Sequence, residues 1–196
     1  MTPNLATEVE IRASLLRDLA VRGLADGHPR EEFPLERGSA RIDVALIGAT
    51  LTGYEIKSDF DTFARFSNQI HAYNRVFDSI HLVCGTRHSA HALAVLPSWW
   101  GIIEARKNAD GTVDLIALRP ALANPRQEAF SLASLLWKDE ALAVLASENQ
   151  SAPKKASSHF LWEQIANSLP LACIKQAVVG SLARRPLQSP EAVSAM

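Results

Sequence analysis

The sequence predicts an α/β fold, with an α/β core over residues 1–125 and an all-helical extension over residues 126–196. Three observations carry this. Between Ala40 and Lys57 the side chains alternate with the period of two that marks half-buried strands. On either side of that stretch, apolar residues instead recur at steps of three and four, the helical period. From Arg126 onward only helical patterns remain, interrupted by a polar linker near residues 148–158.

The elements follow in order. Glu8 to Arg22 predicts a helix, with Ile11, Leu15, Leu19 and Val21 on one side and Thr7 and Glu10 at capping-box spacing. Gly23 to Pro29 is a turn-rich break, and Glu31 to Leu35 predicts a short edge strand that tolerates Pro34. A hairpin follows, with one arm through Ile42, Val44 and Leu46, a turn at Gly48-Ala49-Thr50, and a second arm through Tyr54 and Ile56. Ser58, with Asp61 three residues on, predicts the cap of a helix whose stripe is Phe63, Phe66, Ile70, Tyr73 and Phe77. "SIHLVCG" reads as a buried strand and Ser89 to Leu96 as a short helix stopped by Pro97. Two strands then join around Asp110-Gly111. "RQEAFSLASLLWKDEALAVLAS" predicts one helix, two more surround Pro170, and the last ten residues predict a frayed end.

Composition narrows the function classes. The chain has 196 residues, a net charge of −1 and 47% hydrophobic residues, the profile of an ordinary globular protein. Acids outnumber bases up to residue 147 and bases outnumber acids beyond it, so a polyanion has to be held by local patches or through a metal. The start lacks a basic segment followed by an apolar one, and no apolar run approaches the roughly 20 residues of a membrane span. Cys84 and Cys173 match no metal spacing. A cytoplasmic protein with two reduced thiols is the expectation.

The hairpin carries the chemistry. With its turn at Ala49, Ile47 faces Leu51, Ala45 faces Gly53 and Asp43 faces Glu55. One face then holds Asp43, Glu55 and Lys57, and the other holds Ile42, Val44, Leu46, Tyr54 and Ile56. Two carboxylates about 5 Å apart repel by roughly 3 kcal/mol at an effective dielectric near 20. A cation between them, or a proton on one, relieves this. Hard divalent ions favour carboxylate and carbonyl oxygens, and the Ile56 carbonyl lies between Glu55 and Lys57. A lysine beside such an ion orients a water or stabilises charge on a phosphate. The competing reading is a solvated strand face with a weak surface ion pair.

Asp43, eleven residues, then Glu55-Ile56-Lys57 resembles the signature of the PD-(D/E)XK, or restriction-endonuclease-like, nuclease superfamily. Gln69 and Tyr73, in "QIHAY", resemble the Q-x-x-x-Y motif of its exonuclease-like branch and share a helix face. The stretches "EIRASLL", "EEFPLERGSARIDVALI", "LPSWWGI" and "LLWKDEAL" are similar to a group of largely uncharacterised bacterial and phage-associated members. In place of the motif's proline stands Ile42.

The resemblance implies a central mixed sheet flanked by helices and a Mg²⁺-dependent deoxyribonuclease, with Mn²⁺ able to substitute. It implies Asp43 and Glu55 as metal ligands, a carbonyl ligand from Ile56, Lys57 as catalytic lysine, and Gln69 and Tyr73 as supporting or nucleic-acid-contacting residues. The superfamily often adds an acid from its first helix, for which Glu10 is the better match and Glu8 the runner-up. Glu32 also matches a group position. Arg65, one turn before Gln69, is a candidate phosphate contact. DNA is the expected substrate, with RNA the alternative. The helical tail is a candidate surface for nucleic acid, a protein partner or a second copy in a homodimer. The rival expectation is a nuclease-fold protein that binds nucleic acid or a partner without cleavage, in a setting such as phage conflict.

Overall fold

In the computed structural model of the chain, residues 4–22, 27–63, 66–153 and 155–186 are described. The order is α1 (Glu8–Arg22), β1 (His28–Leu35), a 3-10 turn, β2 (Ala40–Ile47), β3 (Leu51–Lys57), α2 (Phe66–Asn74), β4 (Ser79–Gly85), α3 (Ser89–Val95), β5 (Gly101–Lys107), β6 (Val113–Arg119), α4 (Ala129–Ala133), α5 (Lys138–Ser147), α6 (Ser158–Ser168) and α7 (Leu171–Arg184).

The strands form one six-stranded mixed sheet in sequence order. β1, β2 and β3 pair antiparallel, β3, β4 and β5 parallel, and β5 and β6 antiparallel. The two parallel steps are bridged by α2 and α3. Crossovers of one hand put both helices on one face of the sheet, and Tyr73, Ala72, Ala92 and Leu96 accordingly share a cluster. The same cluster takes in Leu132, Leu145, Leu161, Trp162, Ile174 and Leu182, so the helical extension packs on this face too. The opposite face is covered by α1, whose Ile11, Leu15 and Leu19 meet Val44, Leu46, Tyr54 and Ile56.

Several expectations hold in detail. The Thr7 main-chain N–H donates to Glu10 Oε2 at 2.9 Å and Glu10 N–H to Thr7 Oγ at 3.4 Å, the reciprocal capping box. The hairpin register has Ile47 opposite Leu51 and Ala45 opposite Gly53. Pro29 and Pro34 lie in β1, an edge strand, where a missing N–H costs least. Trp99 and Trp100 are buried, and the Trp100 indole N–H donates to Asn74.

Four expectations are corrected. The α2 helix begins at Phe66 and ends at Asn74, shorter than its apolar stripe. Ser58 and Asp61 close a turn of their own instead of capping it, with the Ser58 N–H and hydroxyl both donating to Asp61 Oδ2 at 2.7 Å. The single helix expected after Arg126 is two, because the chain turns extended at Trp137, whose N–H is taken by Glu140 at 2.7 Å. Finally, Ile42 does not share a face with Val44 and Leu46. It packs with Ala45, Ile47 and Phe77 under α2, so the alternation of β2 breaks at Asp43. The β2–β3 pairs end at Val44 opposite Tyr54, one residue before Asp43. Gly53 gives the crossing room, since a Cβ there would lie 2.6 Å from Ile42 Cδ1 and 3.0 Å from the Phe77 ring. Residues 23–26 of the expected break, Arg65 and the frayed end at 187–196 lie outside the described residues.

Candidate active site

Asp43 stands where β2 leaves its pairing with β3, and its carboxylate replaces the lost ladder. Oδ2 accepts the Ile56 main-chain N–H at 2.6 Å. Oδ1 accepts from the Arg12 guanidinium at 3.2 Å, and the Asp43 carbonyl accepts from the same group at 3.1 Å. Burial raises the Asp43 pKa, against the opposing pull of the Ile56 hydrogen bond, Arg12 and Lys57.

Glu55 is 2% exposed, on the α2 side of β3. Its Oε1 accepts from Lys57 Nζ at 2.6 Å and its Oε2 from the Tyr73 hydroxyl at 2.7 Å. Burial first, and then the charge of Asp43, push its pKa up to about 7 despite both donors. Burial works against the Lys57 charge, but Glu55 outweighs it and the lysine pKa rises. The Tyr73 hydroxyl also lies 2.7 Å from the Arg41 carbonyl. It has one proton to give. An ionised Glu55 takes that proton's bond, whereas a protonated Glu55 donates to the hydroxyl and frees it for Arg41. Burial and the neighbouring Glu55 raise the Tyr73 pKa, so the phenol stays protonated.

Gln69 lies half-buried one turn before Tyr73 on α2. Asp43, Glu55, Ile56, Lys57 and Tyr73 are therefore gathered where β2, β3 and α2 meet. Asp59, buried beside them in sequence, has a different task. It accepts the main-chain N–H of Ala6 at 2.9 Å and of Arg87 at 3.0 Å, tying the chain before α1 to the loop after β4.

Glu10 is not part of this group. Its carboxylate is held by the Thr7 cap and by Lys107 Nζ at 2.6 Å, which together lower its pKa to about 2. Residues two apart on a helix point in nearly opposite directions, so only one of Glu8 and Glu10 can face the hairpin, and it is Glu8. Carboxylate oxygens of Glu8, Glu32 and Asp43 lie within 4.8 Å of one another. Arg12 sits among them, 2.7 Å from Glu8 and 2.8 Å from Glu32. These acids raise its pKa against its own burial. Glu32 reaches this position from a backbone with φ 52°, a left-handed conformation inside a strand. Such strain costs about 1–3 kcal/mol and persists only where the surroundings enforce it. Arg41 Nε closes the set, 2.7 Å from Glu32. Arg12 escaped the sequence reading; its only signal was the i, i+4 spacing from Glu8.

An all-oxygen set of Glu8, Glu32 and Asp43, with Glu55 close by, has the hardness that Mg²⁺ or Mn²⁺ requires. The residues present therefore fit such an ion in chemistry.

The architecture defines an α/β protein with a six-stranded mixed sheet, helices on both faces and a helical C-terminal part. The profile described as Bacteriophage P4 protein cII matches residues 1–192, and the chain belongs to that family. It is 25% identical to protein cII of Enterobacteria phage P4 over 182 residues, 92% of this chain and 68% of that protein. Among solved structures it is similar to a protein of unknown function from Silicibacter pomeroyi, with a TM-score of 0.42 and 15% identity, covering 95% of this chain and 99% of that one. No helix among the described residues is long and apolar enough to cross a membrane.

Proposed function

We propose that the chain is a restriction-endonuclease-like, metal-dependent nuclease that hydrolyses phosphodiester bonds in DNA. The observation that carries the reading is the buried pair in which Lys57 Nζ lies 2.6 Å from a Glu55 that is 2% exposed and also bound by Tyr73. A buried, charged pair of this kind contributes little to stability, because the desolvation of both groups offsets their attraction. Its rationale is chemical. Asp43, Glu55 and the Ile56 carbonyl would hold Mg²⁺ or Mn²⁺, with Glu8 taking the part expected of Glu10. The ion, when bound, supplies Lewis acidity toward the scissile phosphate. Lys57 orients the attacking water and offsets charge that develops on the phosphate. Tyr73 fixes the Glu55 carboxylate, and Gln69 lies one turn away on the same helix face.

A second reading is favoured by Arg12. Its guanidinium already neutralises Asp43, which suits a protein that binds nucleic acid or a partner without cutting. One experiment separates the two. Purified protein is incubated with linear, circular and single-stranded DNA in Mg²⁺, Mn²⁺ or EDTA, beside the Lys57→Ala variant. Metal-dependent cleavage that disappears in the variant supports the nuclease. Absence of cleavage of DNA and of RNA, with both proteins folded, rejects it in favour of the binding reading.

A further inference from the structure

We propose that Asp59 is a positioning residue for Lys57: its buried carboxylate pins the end of β3 that carries the lysine to the chain before α1 and to the loop after β4. The proposal rests on the reading of Lys57 as the catalytic lysine. β3 loses a neighbour as it nears that lysine. Its pairing with β2 ends at Tyr54, while its pairing with β4 continues to Lys57 opposite Cys84. From Glu55 to Lys57 the strand is therefore laddered on one side only, and on the other side Asp43 Oδ2 takes the Ile56 N–H. Segments with few hydrogen bonds open locally at low free-energy cost, so something beyond Lys57 has to hold this end.

Asp59, two residues on and 3% exposed, does so. It exchanges two bonds with Ala6, itself fully buried. The Asp59 N–H donates to the Ala6 carbonyl at 3.2 Å, and the Ala6 N–H donates to Asp59 Oδ2 at 2.9 Å. Oδ1 accepts the Arg87 N–H at 3.0 Å, and the Asp59 carbonyl accepts from the Arg87 guanidinium at 3.4 Å. Three segments thus meet on one residue. Ala6 stands two residues before Glu8, the first of α1, and Arg87 two residues after Gly85, the last of β4.

The surroundings are shaped to this carboxylate. A Cβ at Gly85 would lie 2.4 Å from Asp59 Cγ and Oδ1, so the glycine leaves the space that the carboxylate fills. The turn around Asp59, closed by Ser58 on Asp61, brings the Asp61 charge near enough to Lys57 to favour its ammonium form. The strand end, the turn and the lysine are therefore held as one unit. Both carboxylate oxygens are engaged by main-chain N–H groups, so Asp59 acts on the chemistry through Lys57. An amide does not replace it, because asparagine has one acceptor oxygen and would turn its NH2 toward one of the two N–H donors.

The test compares the full chain with Asp59→Asn and with Gly85→Ala, the second displacing the carboxylate without altering its charge. Steady-state cleavage of a fluorogenic DNA oligonucleotide in Mg²⁺ separates kcat from KM. A misplacement of about 1 Å costs on the order of 100-fold in rate, so kcat should fall roughly 10- to 100-fold with KM unchanged. In EDTA, a heteronuclear NMR spectrum of the lysine ammonium groups reads the same displacement without cleavage. Glu55 shields the Lys57 ammonium protons in the parent, and their signal, assigned with Lys57→Ala, should vanish in both variants. A role in stability alone leaves that signal and kcat in place. Circular dichroism verifies folding. Unchanged kcat, a Lys57 signal absent from the parent or retained in the variants, or loss of folding in both variants overturns the proposal. The nuclease reading fails separately. A parent that cuts neither DNA nor RNA rejects it, and the lysine signal in EDTA then decides whether Asp59 places Lys57.

Discussion

Arg12 grips Asp43 twice, through the carbonyl at 3.1 Å and through Oδ1 at 3.2 Å, and so ties α1 to the point where β2 leaves its pairing. The same guanidinium serves Glu8 and Glu32. It is the counter-charge that lets three carboxylates crowd within 4.8 Å.

Arg12→Gln removes that charge from a side chain only 15% exposed. Stripping one partner from a largely buried ionic group costs about 3–5 kcal/mol, and urea unfolding in EDTA should show a loss of that order. A divalent ion can replace the guanidinium, so adding Mg²⁺ should raise the Tm of the variant more than that of the parent. Equal Mg²⁺ shifts in the two proteins would mean that the cluster holds no ion.

Glu55 makes stability depend on pH. Its folded pKa, about 7, lies above the ordinary 4.5. The folded state thus holds a proton that the unfolded chain releases earlier. The favourable contribution is complete below about pH 4.5 and is lost as pH rises through 7, on the order of 3 kcal/mol in all. Asp43, also raised, adds in the same direction. In EDTA the Tm should fall between pH 5 and pH 8, and Glu55→Gln should flatten most of that slope. A variant that tracks the parent across this window would assign the slope to other groups.

Tyr73→Phe removes the hydroxyl whose single proton goes to Glu55 Oε2 or to the Arg41 carbonyl. An unsatisfied buried acceptor costs about 1–3 kcal/mol. The hydroxyl also holds the Glu55 pKa down, so its removal moves that ionisation to higher pH. If ionised Glu55 is needed for cleavage, the acidic limb of the rate–pH profile moves upward in the variant. An unmoved limb with lowered stability would confine Tyr73 to packing.

The parts of this arrangement legible in the sequence were those set by local pattern. The hairpin register followed from two apolar arms around one turn, and α1 from a capping box and an apolar stripe. What depended on tertiary contact was hidden. Nothing in "ARIDVALI" marks the change of face at Asp43, because a strand continued at period two looks the same. Glu8 and Glu10 both suit a helix start, and only the packing of α1 on the sheet decides which meets Asp43. The break at Trp137 arises from one main-chain hydrogen bond to Glu140, inside a stretch whose composition favours helix throughout. Arg12 stands four residues after Glu8, an ordinary helical ion-pair spacing that says nothing of its reach to Asp43.

The change of face predicts a coupling between two residues remote from the chemistry. Ile42 Cδ1 occupies the space that a side chain at residue 53 would need. Gly53→Ala therefore forces Ile42 and the Phe77 ring to give way in a closed core, at a cost of about 1–3 kcal/mol. Ile42→Val alone removes the obstructing methyl and costs about 0.5–1.5 kcal/mol. Together the two changes should cost less than their sum, because the shortened side chain vacates the volume the new methyl fills. Denaturant unfolding of the two single variants and the double variant measures this coupling. Additive losses would mean that Ile42 does not cross beneath Gly53, and the switch of face that frees Asp43 from the ladder would fall with it.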